Sequence, residues 1–77
     1  MIKLDQAVSQ AKDFLTRSGV SFTSLEEISL KDKKWIVVLS NLLYVFTPSP
    51  RYIVELDAET GDIIGFRKEL GTNLAYG

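Results

Sequence analysis

Only one segment of the chain has the spacing of an amphipathic helix, so one helix has to cover the core that the rest of the chain builds. From Leu4 to Ser18, apolar residues recur three and four positions apart and share one helix face. They are Leu4, Ala7, Val8, Ala11, Phe14 and Leu15. Asp5 either caps the first turn or lies in it, where the helix dipole favours an anion. Gly19 is expected to end the helix in a left-handed conformation.

The segments after the helix have the pattern of β-strands. Val20–Leu30 is predicted to be extended, and the odd gap between Leu25 and Ile28 predicts a bulge near Glu26–Glu27. Trp35–Leu39 is apolar on both faces, which is typical of a central strand. Leu42–Phe46 is expected either to continue this strand or to pair back on it.

A hairpin is the clearest local signal. Tyr52–Leu56 and Ile63–Phe66 flank a loop, Ala58–Gly61, in which a left-handed Gly61 would let Asp57 pair with Asp62. Leu56 is then expected to face the same way as Ile63, and Val54 the same way as Gly65. Thr47–Pro50 is expected to end any strand before this hairpin, since proline cannot donate to a ladder.

This order predicts an α+β fold. The N-terminal helix is expected to pack on one face of a curled antiparallel β-meander of three to five strands. Residues 1–70 are predicted to form a single domain and residues 71–77 a C-terminal tail.

The residue inventory argues against an enzyme. The chain has no Cys and no His, so it lacks thiolate nucleophiles, zinc-thiolate sites and the commonest general base. Asp57, Glu59 and Asp62 are the densest carboxylates. In a calcium loop that began at Asp57, however, the glycine would be at the fifth position instead of the sixth, and the twelfth position would be Lys68 instead of a glutamate. We therefore expect no catalytic residues, no cofactor and no metal, and we interpret these carboxylates as turn residues.

Net charge and hydropathy argue against nucleic acid and a membrane span as the setting in which this chain works. A net charge of −1 argues against general nucleic-acid binding. The apolar run from Trp35 to Phe46 is too short to span a bilayer, and no secretory signal is visible. The chain as written is expected to be cytoplasmic, or exported if it is a piece of a longer protein.

The strands carry more apolar side chains than one helix can cover. Leu42, Tyr44 and Phe46 cannot all share a face with Leu43 and Val45, because side chains alternate along a strand. Either the C-terminal tail or a protein partner or second copy is expected to cover the surplus. The sheet face away from the helix raises the same question for five residues: Ile36, Val38, Ile53, Ile64 and Phe66.

Over residues 4–68 the sequence resembles the PepSY family. The resemblance is carried by Ala7 and Ala11, by Gly19–Val20, by Trp35–Val37 and by the run Tyr52–Gly65, which reads YIVELDAETGDIIG. The resemblance implies a helix on a cystatin-like sheet and a non-enzymatic role in restraining peptidases. The chain departs from the family in lacking a signal peptide and in its apolar stretch Leu42–Phe46.

The sequence predicts one function and leaves one alternative open. The first is a non-enzymatic interaction module that binds a protein partner or a second copy through seven residues: Leu42, Tyr44, Phe46, Ile36, Val38, Ile53 and Phe66. The alternative is a domain that binds a small apolar ligand in a pocket between the helix and a curled sheet.

Overall fold

A computed structural model describes residues 1–41 and 50–70 of the 77-residue chain. A helix, α1 (Leu4–Arg17), precedes four strands, β1 (Thr23–Lys31), β2 (Lys34–Asn41), β3 (Pro50–Asp57) and β4 (Ile63–Leu70). The strands form an open antiparallel sheet in the order β1-β2-β3-β4, and α1 packs on one face of it. The predicted α+β class is confirmed.

Helix α1 begins and ends where local chemistry satisfies its free backbone groups. The Gln6 side chain accepts a hydrogen bond from the Lys3 N–H at 2.9 Å, and Asp5 lies in the first turn. At the other end, the Val20 N–H donates to Leu15 and the Gly19 N–H donates to Thr16, which is the Schellman arrangement. Gly19 has φ +95°, so the predicted left-handed stop is confirmed. The described part of the chain contains no helix with the length and apolar character needed to cross a membrane.

The core is a narrow seam between α1 and the two central strands. Ala7, Ala11 and Leu15 lie one turn apart and are fully buried. They pack against alternate residues of β2 and β3, namely Val37, Leu39, Tyr52, Val54 and Leu56. Small alanine side chains let the helix backbone approach the sheet closely, so the helix covers the centre of the sheet more fully than its edges.

The β1–β2 hairpin has a tight turn and a bulge. Asp32 and Lys33 connect the paired residues Lys31 and Lys34, and both have positive φ, as in a type I′ turn. The register shifts between Leu25 and Glu27, which confirms the bulge predicted near Glu26–Glu27.

The β3–β4 hairpin forms as predicted at its turn. The Asp57 N–H donates to Asp62 at 2.8 Å, Gly61 has φ +83°, and Leu56 is opposite Ile63. Buried Ala58 joins this turn to the rest of the molecule. Its N–H donates to Lys33 in the β1–β2 turn, and its C=O accepts from Ile2 at 2.7 Å.

The predicted boundaries of β3 and β4 need correction. Strand β3 was predicted to begin at Tyr52, but Pro50 is its first residue, opposite Leu70. Proline is tolerated there because the first residue of a strand can lie outside the continuous ladder. The rest of the segment predicted to end a preceding strand, residues 47–49, lies outside the described residues. Strand β4 also continues past Phe66 to Leu70, because Arg67, Lys68 and Glu69 pair with Ile53, Tyr52 and Arg51.

We predict that Lys33→Gly stabilises the protein. Lys33 has φ +61°, a conformation that costs a non-glycine residue roughly 1–2 kcal/mol. Part of this gain is offset by the greater freedom of glycine in the unfolded chain, which leaves a net gain of up to about 1 kcal/mol. Urea denaturation of the two proteins measures the difference.

Lys33→Ala is the matched control, because it removes the same side chain and keeps the positive φ. It should give no stabilisation. An equal gain from both variants would attribute the effect to loss of the lysine charge and would contradict the backbone explanation.

Candidate functional site

The sheet face opposite α1, here called the outer face, has an apolar centre on its two middle strands. Ile36 and Val38 of β2 and Ile53 of β3 alternate with core residues and therefore point away from the helix. Val38 and Ile53 are directly opposite each other. Ile36 and Val38 are half-buried, and Ile53 is 8% exposed.

Charged residues surround this apolar centre on all four strands. Across the sheet, Glu27 is opposite Val38 and Arg67 is opposite Ile53. Glu55 is opposite Ile36 and forms an ion pair with Lys34 at 3.5 Å. The outer face is therefore a small apolar patch within a border that carries both signs of charge.

Phe66 lies on the helix face, so its assignment to the outer face was wrong. Its ring is 5.3 Å from Phe14 of α1 in an edge-to-face arrangement and is stacked 6.2 Å from Tyr52. Phe66 is 43% exposed and flanks the core rather than the outer face.

A bulge in β4 explains this change of face. Leu56 is opposite Ile63, but Glu55 is opposite Gly65, so Ile64 is an extra residue in β4. This shift puts Phe66, not Gly65, opposite Val54. An uninterrupted period of two from Ile63 cannot predict that change, since every later side chain reverses direction at the extra residue. Ile64 itself is exposed.

Three of the seven predicted binding residues fall outside the described part of the chain. Leu42, Tyr44 and Phe46 belong to residues 42–49, and the predicted tail is residues 71–77. Of the other four, the structure brings together Ile36, Val38 and Ile53 on the outer face and places Phe66 on the opposite face.

Sequence reasoning missed an exposed apolar group along β1 and before it. Leu25 and Leu30 of β1 and Phe22 before it are all exposed. Leu30 is opposite Trp35, whose ring packs against the core, and it is nevertheless 46% exposed. Their exposure could have been predicted from the position of this strand at one end of the predicted meander, where a single helix covers the sheet least.

Of the three predicted turn carboxylates, Asp57 accepts hydrogen bonds from the backbone of the β3–β4 turn. Asp57 Oδ1 accepts from the backbone N–H groups of Glu59 at 2.7 Å and Thr60 at 3.3 Å. Thr60 Oγ1 in turn accepts from the Asp62 N–H at 3.2 Å. This is the local bonding of an Asx turn.

Neither a metal cluster nor a cavity is found in the described ranges 1–41 and 50–70. No group of three or more acidic side chains is placed to hold an ion there. No pocket lies between helix and sheet in the same ranges, so the apolar-ligand alternative has no cavity to support it. The expectation that the protein is not an enzyme stays a prediction.

Comparisons with models of protein families, with curated proteins and with solved structures find no match to this chain. The PepSY resemblance consequently stays a prediction that rests on the residues quoted for it.

We predict that Asp57 acts as a turn residue rather than as a cation ligand. Asp57→Ala removes the acceptor of two backbone N–H groups and should cost about 1 kcal/mol of stability. Asp57→Asn keeps an acceptor oxygen and should cost less. Thermal denaturation with and without calcium measures both effects, and calcium should leave the midpoint of each protein unchanged. A calcium-dependent rise for the wild type that Asp57→Asn abolishes would contradict this interpretation.

Proposed function

We propose that the protein is a small non-enzymatic interaction module that contacts a protein partner through its outer face. One observation supports this most directly. Ile36, Val38 and Ile53 lie together on the side of the sheet that α1 does not cover, with charged residues around them.

The composition of the outer face suits a protein partner better than a small ligand. Protein interfaces combine an apolar centre with a polar rim, and Glu27, Lys34, Glu55 and Arg67 supply that rim here. Small ligands are bound in concave sites instead. No concave site is found in the described residues.

The size of the patch favours a weak or transient contact. Three side chains on two adjacent strands span roughly 5 Å across the strands and 7 Å along them. Such an area is well below that of a permanent interface, so binding must draw on the charged rim as well. Rim charges of both signs would select a partner whose surface carries the complementary pattern.

The class of partner that we propose is a peptidase, on the basis of the PepSY resemblance. That family is associated with restraint of thermolysin-like metallopeptidases. A non-enzymatic module of this kind would restrain an enzyme by occupying part of its surface.

We predict that the purified protein slows at least one member of a panel of thermolysin-like metallopeptidases. Val38→Lys introduces a charge at the centre of the outer face and should raise the concentration needed for half-inhibition about tenfold or more. Cleavage of a chromogenic peptide at stoichiometric excess of the protein measures the effect.

Ser9→Lys is the matched control, because it adds the same charge on the exposed side of α1. It should inhibit as the wild type does. Absence of inhibition across the panel would exclude peptidase restraint, and equal inhibition by Val38→Lys and wild type would exclude the outer face as the contact surface.

A further inference from the structure

The outer edge of β1 is the free edge of the sheet on that side. The strand order places β1 at the end of the sheet, and within residues 1–41 and 50–70 no other strand pairs with this edge. A free edge offers backbone N–H and C=O groups to an added strand. The bulge at Glu26 interrupts β1, so the longest regular stretch next to the turn is Glu27–Lys31.

The tight turn determines which residues of β1 direct their backbone groups outward. Lys31 and Lys34 flank the two-residue turn and therefore form a hydrogen-bonded pair. Hydrogen-bonded and non-hydrogen-bonded pairs alternate along an antiparallel ladder, and the register is unbroken from Lys31 to Glu27. Leu30 and Ile28 consequently direct their N–H and C=O groups away from β2, towards the free edge.

The segment Glu27–Lys31, which reads EISLK, is complementary to a second copy of itself running in the opposite direction. When the two copies are centred on Ser29, Ile28 is opposite Leu30 of the second copy, and Leu30 is opposite its Ile28. These are the residues with outward backbone groups, so both pairs can form ladder hydrogen bonds. Hydrogen bonding and side-chain pairing therefore favour the same register.

The side chains match on both faces of the sheet in this register. On the helix face, Ile28 of the second copy would cover Leu30, which is 46% exposed in the single chain. On the outer face, Glu27 would be opposite Lys31 of the second copy. This pairing occurs twice by symmetry, with Ser29 against Ser29 between the two pairs.

Competing pairings lack this agreement. Centring the two copies on Ile28 would set Leu30 opposite Glu26 at the bulge, and centring them on Leu30 would set Ile28 opposite Asp32 of the turn. Neither register pairs Glu27 with Lys31. On β4, the register that matches Arg67 with Glu69 of a second copy also sets Lys68 against Lys68, which places like charges opposite each other.

We propose that the protein forms a symmetric dimer by antiparallel pairing of β1 with β1 of a second copy, centred on Ser29. The two sheets join into one continuous sheet, both α1 helices lie on the same face, and both outer faces lie on the other. This inference differs from the proposed contact with a peptidase. The two surfaces share the rim residue Glu27, but the apolar centre of the outer face, Ile36, Val38 and Ile53, does not belong to β1, and dimerisation is measured without a peptidase.

Charge exchange across the strand pair tests the register by sedimentation equilibrium at low salt. Glu27→Lys sets lysine against Lys31 of the second copy, and Lys31→Glu sets glutamate against its Glu27. Each single variant should weaken the dimer about tenfold, because two cross-strand pairs change from attraction to repulsion. The double variant Glu27→Lys/Lys31→Glu restores opposite charges and should dimerise as the wild type does. Circular dichroism spectra and melting curves establish that each variant is folded.

A cysteine at the symmetry centre tests the same register independently of charge. The chain contains no other cysteine, and non-hydrogen-bonded pairs bring Cα atoms to about 4.5 Å, within disulfide range. Ser29→Cys should therefore form a covalent dimer on oxidation, whereas Ser24→Cys, on the same strand beyond the bulge, should not.

The outcomes separate this inference from the proposed function. A monodisperse wild-type monomer at high concentration would overturn the dimer, whether or not the protein inhibits a peptidase. A dimer that is insensitive to both charge exchanges would overturn the β1 interface. A dimer that the single variants weaken and the double variant restores would support the inference even if no peptidase in the panel is inhibited.

Discussion

The close approach of α1 to the middle of the sheet determines which surfaces of this protein are covered. Ala7 and Ala11 have almost no side-chain bulk, so the helix lies near β2 and β3, and Leu15 fills the end of the seam. A single helix in that position leaves Leu25 and Leu30 of β1 exposed on the same face. On the outer face, no helix or strand of the described ranges 1–41 and 50–70 packs over Ile36 and Val38. The outer face and the β1 edge are therefore both left accessible by the position of α1 over the middle of the sheet.

Much of the fold follows from local sequence signals. The helix stop at Gly19, the bulge at Glu26 and the β3–β4 turn were predictable because each depends on the conformational preferences of a few adjacent residues. The face occupied by Phe66 was not predictable in this way. It depends on one extra residue, Ile64, after which the Phe66 ring lies on the helix face against Phe14 and Tyr52.

The two candidate sites differ in how far they could be predicted from the sequence. Alternation along β2 and β3 is enough to place Ile36, Val38 and Ile53 together, because their strands have an uninterrupted register. The free edge of β1 is different. Its outward backbone groups at Ile28 and Leu30 depend on the pairing of Lys31 with Lys34 at the turn. Which residues of β1 direct their backbone groups outward is therefore a property of the folded hairpin and cannot be read from the hydropathy pattern.

The bulge in β1 is fixed by a side chain as well as by the backbone. Ser40 of β2 donates its hydroxyl hydrogen to Glu26 Oε2 at 2.6 Å, which ties the extra residue to the neighbouring strand. Amyloid fibrils grow by in-register stacking of short strands, and a flat, exposed edge strand is a template for that growth. A β-bulge with a charged side chain twists an edge strand away from that geometry. Growth along this side of the protein is therefore limited to short pairings, even in concentrated solution.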